Sequence, residues 1–155
     1  MDFGRTEAAL AAIEPVIAEA EALGPAVNEG ARVAMHGVRA CALHELGRSQ
    51  DASSANIVTA AQQRLPASYM ALLACTGRLA DARSFLMSLL ANRDRRSFPL
   101  IYLQPVNQVR RATPSVLRTQ AFRERLRSDD QLMKAVARHG RVLDFVVEAP
   151  APERR

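Results

Sequence analysis

The chain has no tryptophan, two cysteines and a single lysine, Lys134, and aromatic residues make up only 5% of its 155 positions. Each scarcity excludes something. Alternating Val, Ile and Thr is almost absent, which removes the period-two signal of a sheet. No apolar run approaches the roughly 20 residues that cross a bilayer as a helix. The opening MDFGRTEAAL has no basic stretch followed by a hydrophobic one, so no signal peptide is expected. Neither G-x-x-x-x-G-K nor G-x-G-x-x-G occurs, so the backbone cradles that bind phosphates are not anticipated, and no C-x-x-C or H-x-x-x-H pair points to a metal. Two cysteines are too few for a disulfide framework, and reduced thiols in a cytoplasm, taken to be bacterial, are expected.

What remains is rich in Ala, Leu, Arg, Glu and Gln, all good helix formers, with hydrophobic residues at 48%. An all-α class follows. By length the chain is one domain, expected over residues 1–147, followed by a solvated tail, APAPERR, at residues 148–155. Charge is uneven. Up to Gly77 there are five arginines against eight acids; from Arg78 onward there are sixteen cations against eight acids.

The stretch HELGR at residues 44–48 invites comparison with the H-E-x-x-H zinc motif. Arg48 stands where the second histidine belongs, and Gly47 would break the helix that has to carry both ligands. The glycine has a different meaning, because G-R-x-x-x-A occurs three times: Gly4 with Ala9, Gly47 with Ala52, and Gly77 with Ala82. AMHGVRACALHEL precedes Gly47 and PASYMALLACT precedes Gly77. A glycine closing each helix takes the left-handed C′ conformation without a clash. The next helix then folds back, and an alanine one turn in lets the two backbones approach closely. Apolar residues follow at helical spacing: Leu10, Ile13, Ile17 and Ala20 after the first corner, and Leu79, Ala82, Leu86, Leu89 and Leu90 after the third.

Residues 3 to about 95 thereby resemble the tetratricopeptide repeat family of stacked antiparallel helical hairpins. Ala40, Leu43, Leu73, Ile13 and Leu86 fit the family's small and large positions, while Met70 and Asn56 depart from them. The corners are unevenly spaced, so the repeats are divergent. The segment with Arg127, Asp129, Leu132, Val136, Gly140, Val142, Leu143, Asp144 and Phe145 is similar to the closing helices of bacterial tetratricopeptide-like regions. That implies a C-terminal helical cap, and a chain that forms the C-terminal part of a longer regulator or adaptor.

Helices are expected at about 6–23, 26–46, 49–64, 66–76, 79–93, 114–127 and 129–139. Pro25, Pro66 and Pro114 suit first turns, Ser49 and Thr113 suit N-caps, and Pro15 predicts a kink. Residues 92–114 should hold one or two short helices.

No catalytic constellation is legible. His36 and His139 have no acid or nucleophile at informative spacing, and Ser53-Ser54 has no companion base. Cys41, His44 and Cys75 would share the leading helices and suit a metal or a redox pair, but buried free cysteine is the commoner reading, so no metal and no cofactor are assigned. By resemblance, the leading helices present a partner-binding groove of Gly37, Cys41, His44, Glu45, Arg64, Ala71, Ala74 and Cys75. It would hold a peptide or partner helix in a non-catalytic scaffold or sensor. Two alternatives stand beside this. Arg93, Arg95, Arg96, Arg110, Arg111, Arg118, Arg123, Arg125 and Arg127 could meet nucleic acid, or a cavity between hairpins could bind a small molecule. Self-association through the first helix, which lacks a leading partner, is a further expectation.

Overall fold

A computed structural model describes residues 3–48, 51–105 and 113–142, with side chains from Arg5 onward. Among them every regular element is helical: α1 Phe3–Leu23, α2 Glu29–Glu45, α3 Ser53–Ala60, α4 Pro66–Cys75, α5 Leu79–Ala91, α6 Ser97–Tyr102, α7 Pro114–Arg127 and α8 Asp130–Ala137. Short 3₁₀ turns at Gly24–Ala26 and Arg93–Arg95 supplement them. The all-α class read from composition holds.

Local chemistry sets the boundaries. Asn28 caps α2 by accepting from the backbone N–H of Gly30 at 2.8 Å and of Ala31 at 3.3 Å. Thr113 caps α7 through Val116, and Asp129 caps α8 through Leu132 at 2.9 Å. Each side chain satisfies a donor the helix cannot. Pro66 and Pro114 occupy first turns as expected. Pro15 lies inside α1, which nevertheless runs on to Leu23. Ser49, the remaining expected cap, lies outside the described residues.

Two of the three proposed corners are real, and they are built alike. Gly47 and Gly77 have φ of 71° and 69°. At the first, the Arg48 N–H donates to the Leu43 carbonyl at 2.8 Å and the Gly47 N–H to that of His44 at 3.1 Å. At the second, Arg78 donates to Leu73 at 2.9 Å and Gly77 to Ala74 at 3.4 Å. This is the paired six-to-one and five-to-two closure of a Schellman motif. A Cβ at either glycine would meet nothing within 4 Å, so conformation alone dictates the residue. Gly47→Ala and Gly77→Ala should each lower stability by about 1 kcal/mol, seen as a reduced urea midpoint with unchanged slope; an unchanged midpoint would contradict the corner assignment.

The third corner fails. Gly4 falls within α1, so the first G-R pair begins a helix where a turn was expected. The alanines also divide. Ala82 is fully buried, whereas Ala9 and Ala52 are exposed. After the Gly47 corner the helix starts only at Ser53, leaving Ala52 at the cap, and the buried positions are Ser54 and Val58. A third left-handed glycine, Gly24, closes α1 without the G-R signature.

The single domain expected over residues 1–147 is laid out as two compact units, Met1–Ala82 and Arg83–Arg155, with α5 spanning the division. In the first, α2 is central and packs against α1, α3 and α4, while α3 also meets α4. Thr6–Glu45, Glu14–Arg39 and Glu21–His36 pairs show that α1 and α2 run antiparallel. Leu10, Ile17 and Ala20 of α1 and Val33, Ala40 and Leu43 of α2 are buried, and Leu10, Ala42 and Leu43 gather Ile13 and Leu46 into one apolar cluster. In the second unit α7 packs on α8, burying Phe122, Leu126, Leu132 and Val136. The expected disordered tail lies outside the described residues.

Candidate functional site

The feature that organises the first unit is the pairing of α2 with α4. At their N-terminal ends Arg64 donates to Glu29 Oε1 from Nη2 at 2.7 Å and from Nε at 3.1 Å. Further along, Cys41 in the body of α2 and Cys75 at the end of α4 are joined as a disulfide, with Cα atoms 5.7 Å apart. The two ties link residues 35 and 34 positions apart. The helices are therefore parallel and in nearly constant register. The free, buried cysteines expected from sequence are thus corrected: both sulfurs are bonded and both residues are partly exposed. The expectation failed in preferring free thiols to the redox pair that the shared leading helices also allowed.

The predicted groove residues scatter around this pair. Cys41, Cys75 and the exposed His44 and Ala71 lie toward its open side. Arg64 is exposed and engaged with Glu29, which draws the Glu29 carboxyl below its ordinary pKa. Three others are used internally. A Cβ on Gly37 would sit 3.9 Å from Val58 of α3, Ala74 is buried, and Glu45 accepts from Thr6 Oγ1 of α1 at 3.0 Å. The stripe that is open instead consists of Ala31, Ala34 and Val38 on α2 and Ala67 and Ala71 on α4. It is bounded by the disulfide at one end and the Glu29–Arg64 pair at the other.

Behind this face lies a polar cluster that sequence reasoning missed. His36 is 4% exposed and Ser54 1%, with His36 Nδ1 and Ser54 Oγ 3.1 Å apart. Arg39 Nη1 donates to the same Ser54 oxygen at 3.1 Å and its Nη2 to Asp51 Oδ2 at 2.7 Å. His36 Nε2 lies 3.4 Å from Glu21 Oε1, close enough for charge attraction but without an aligned hydrogen bond. With a neutral ring, Ser54 donates to Nδ1 while accepting from Arg39, which satisfies Nδ1 and the hydroxyl and leaves the Nε2–H beside Glu21 without a hydrogen bond. Sequence spacing showed His36 no acid or nucleophile and Ser54 no companion base; the fold supplies both, because Glu21, His36 and Ser54 come from three different helices. The sequence did carry a hint, because His36 continues the buried stripe of Val33, Ala40 and Leu43. Serine, imidazole and carboxylate are in line, yet Ser54 Oγ is sealed from solvent and held by a guanidinium, so it offers no attacking atom to a substrate.

The electrostatics give this cluster a stability role. Burial pushes the His36 pKa below its ordinary 6.5, the Arg39 and Arg32 charges act in the same direction, and Glu21 opposes them. The Ser53 and Arg39 side chains hold the Asp51 carboxyl down to about 2. A depressed histidine binds its proton in the unfolded chain first as pH falls. Its contribution is therefore present above pH 6.5 and lost as pH drops through the lower folded value. Wild type should lose urea stability between pH 7 and pH 5, and His36→Gln should lose less over the same interval. Equal losses would remove His36 from this role.

In the second unit most of the described arginines are occupied. Arg96 Nε donates to the Leu90 carbonyl at 2.7 Å, Arg127 pairs with Glu124 at 3.1 Å and Arg83 with Asp129 at 3.3 Å. Arg123 lies over the Tyr102 ring, 4.4 Å from its centroid, and Tyr102 stacks on Phe98 at 5.7 Å. Arg110 and Arg111 lie outside the described residues. A cleft of about 440 Å³ borders α7 and α8, with Arg127, Ser128, Met133, Val136 and Arg141 among its walls.

Among the described residues no helix is long and apolar enough to cross a membrane. Comparison of the chain with protein-family models, with curated proteins and with solved structures finds no match.

Proposed function

We propose that the first unit is a non-catalytic interaction module, related in design to tetratricopeptide hairpins, that seats a peptide or helix of a protein partner on the open side of α2 and α4. The observation that carries this reading is the parallel register of those two helices at 34 to 35 residues. Stacked hairpins place their leading helices side by side in this way, and the offset is close to one repeat of that family. The exposed stripe of Ala31, Ala34, Val38, Ala67 and Ala71 supports it, because small side chains let a partner backbone approach closely. Membership in a bacterial regulator, and a cytoplasmic setting, belong to the same proposal. The nucleic-acid alternative is weaker, because Arg83, Arg96, Arg123 and Arg127 already make intramolecular contacts.

The test is capture of a protein partner by the immobilised chain, compared between wild type, Val38→Asp and Ala71→Asp. Both substitutions lie at exposed positions and should leave folding intact while reducing capture at least tenfold. Salt between 50 and 200 mM, on the order used to separate phosphate binders, should change capture little. Capture indifferent to both substitutions would refute the α2–α4 face. A steep salt dependence with retained nucleic acid would favour the arginine-rich half.

A further inference from the structure

We propose that the Cys41–Cys75 bond is an exchangeable redox clamp, reduced by a dithiol in the folded chain, and that its reduction lets α3 and α4 open locally from α2. This goes beyond the interaction reading and stands whether or not that reading survives. The bond joins the body of α2 to the last turn of α4 and closes a loop that contains all of α3. Neither cysteine residue is buried, and exchange in the folded chain requires a thiolate to reach one of the two sulfurs.

The enclosed segment depends on this tie. α3 spans only eight residues from Ser53, and its N-cap residue Ala52 provides no side-chain cap, so it is well short of the length at which a helix holds itself together. The described polar tie between the starts of α2 and α4 is the Glu29–Arg64 pair, whose side chains are 43% and 62% exposed, and exposed ion pairs contribute little. With the bond cut, α3 and α4 are held by the packing of buried residues such as Val58, Ala61, Met70, Leu72 and Leu73, and α3 by the contacts of His36 and Arg39 with Ser54 and of Arg39 with Asp51.

The chemistry is a two-electron exchange. A thiolate of the reductant attacks one sulfur, forms a mixed disulfide and releases the other cysteine as a thiolate, which takes a proton. The reductant's second thiol then displaces the remaining cysteine, which is also protonated. The chain gains two thiols, and the dithiol leaves as its own cyclic disulfide.

The experiment uses the full chain with dithiothreitol as the dithiol, and follows amide hydrogen exchange by mass spectrometry. After reduction in native buffer, peptides covering 53–75 should exchange at least tenfold faster, those covering 114–137 should not change, and reoxidation should restore protection. A Cys41→Ser, Cys75→Ser double variant should match the reduced state; if it does not fold, the reversible cycle on wild type still decides. Two thiols alkylated in the unreduced protein, reduction only after denaturant is added, or unchanged exchange at 53–75 would each overturn the proposal.

Discussion

Leu43→Ala should destabilise the first unit by about 3 kcal/mol, within the 2–5 kcal/mol typical of emptying a buried leucine site. Leu43 is 2% exposed and belongs to the cluster formed with Leu10 and Ala42, against which Ile13 and Leu46 pack. The substitution removes apolar contacts from the α1–α2 interface and leaves a cavity that two helices cannot close independently. It should spare the corner itself, because the Arg48 N–H bonds the main-chain carbonyl of residue 43, which alanine retains. The loss therefore reads side-chain packing alone. Urea unfolding against an exposed control, Val38→Ala at 50% exposure, separates the two cases, since surface truncations normally stay within about 0.5 kcal/mol. If the two variants lose the same amount, α1 is not packed on α2 as described.

How much of this was legible in the sequence depends on whether the signal is local. The corner glycines were readable because a left-handed residue and the apolar position four before it are adjacent in the chain; Gly47 with Leu43 and Gly77 with Leu73 repeat one closure. The same pattern misled at Gly4, since glycine in a helix costs only about 0.5–1 kcal/mol relative to alanine, and a run as rich in Ala and Glu as EAALAAIEPVIAEA absorbs it. The alanine of the repeat failed at position 52 for a different reason. Helix α3 begins late, at Ser53, so a fixed spacing from the glycine no longer marks the buried face. His36, Ser54 and Glu21 were invisible as a group because three helices have to be placed before they meet. The disulfide was partly legible: the hairpin resemblance put Cys41 and Cys75 on neighbouring leading helices and allowed a redox pair, but no local pattern says that the two sulfurs bond instead of staying free. The candidate face was half legible: Cys41, His44, Ala71 and Cys75 lie toward it, whereas Gly37 and Glu45 are taken up by the neighbours that surround α2 on three sides and Ala74 is buried on α4.

Opening the Cys41–Cys75 bond should lower the global stability of the first unit by about 4 kcal/mol, the loop-closure contribution of a crosslink spanning 34 residues. For a unit of this size that corresponds to a fall in Tm of roughly 20 °C, measured by calorimetry with and without dithiol. The effect originates in the unfolded state, whose freedom increases when the tether is cut, so this global loss appears in addition to any local opening of α3 and α4 in the folded chain. This distinguishes it from Leu43→Ala, which acts on the folded state. The two losses should therefore add within about 0.5 kcal/mol when reduction and substitution are combined. A combined loss well below the sum would mean that the disulfide and the α1–α2 core hold the same native contacts rather than restraining different states of the chain.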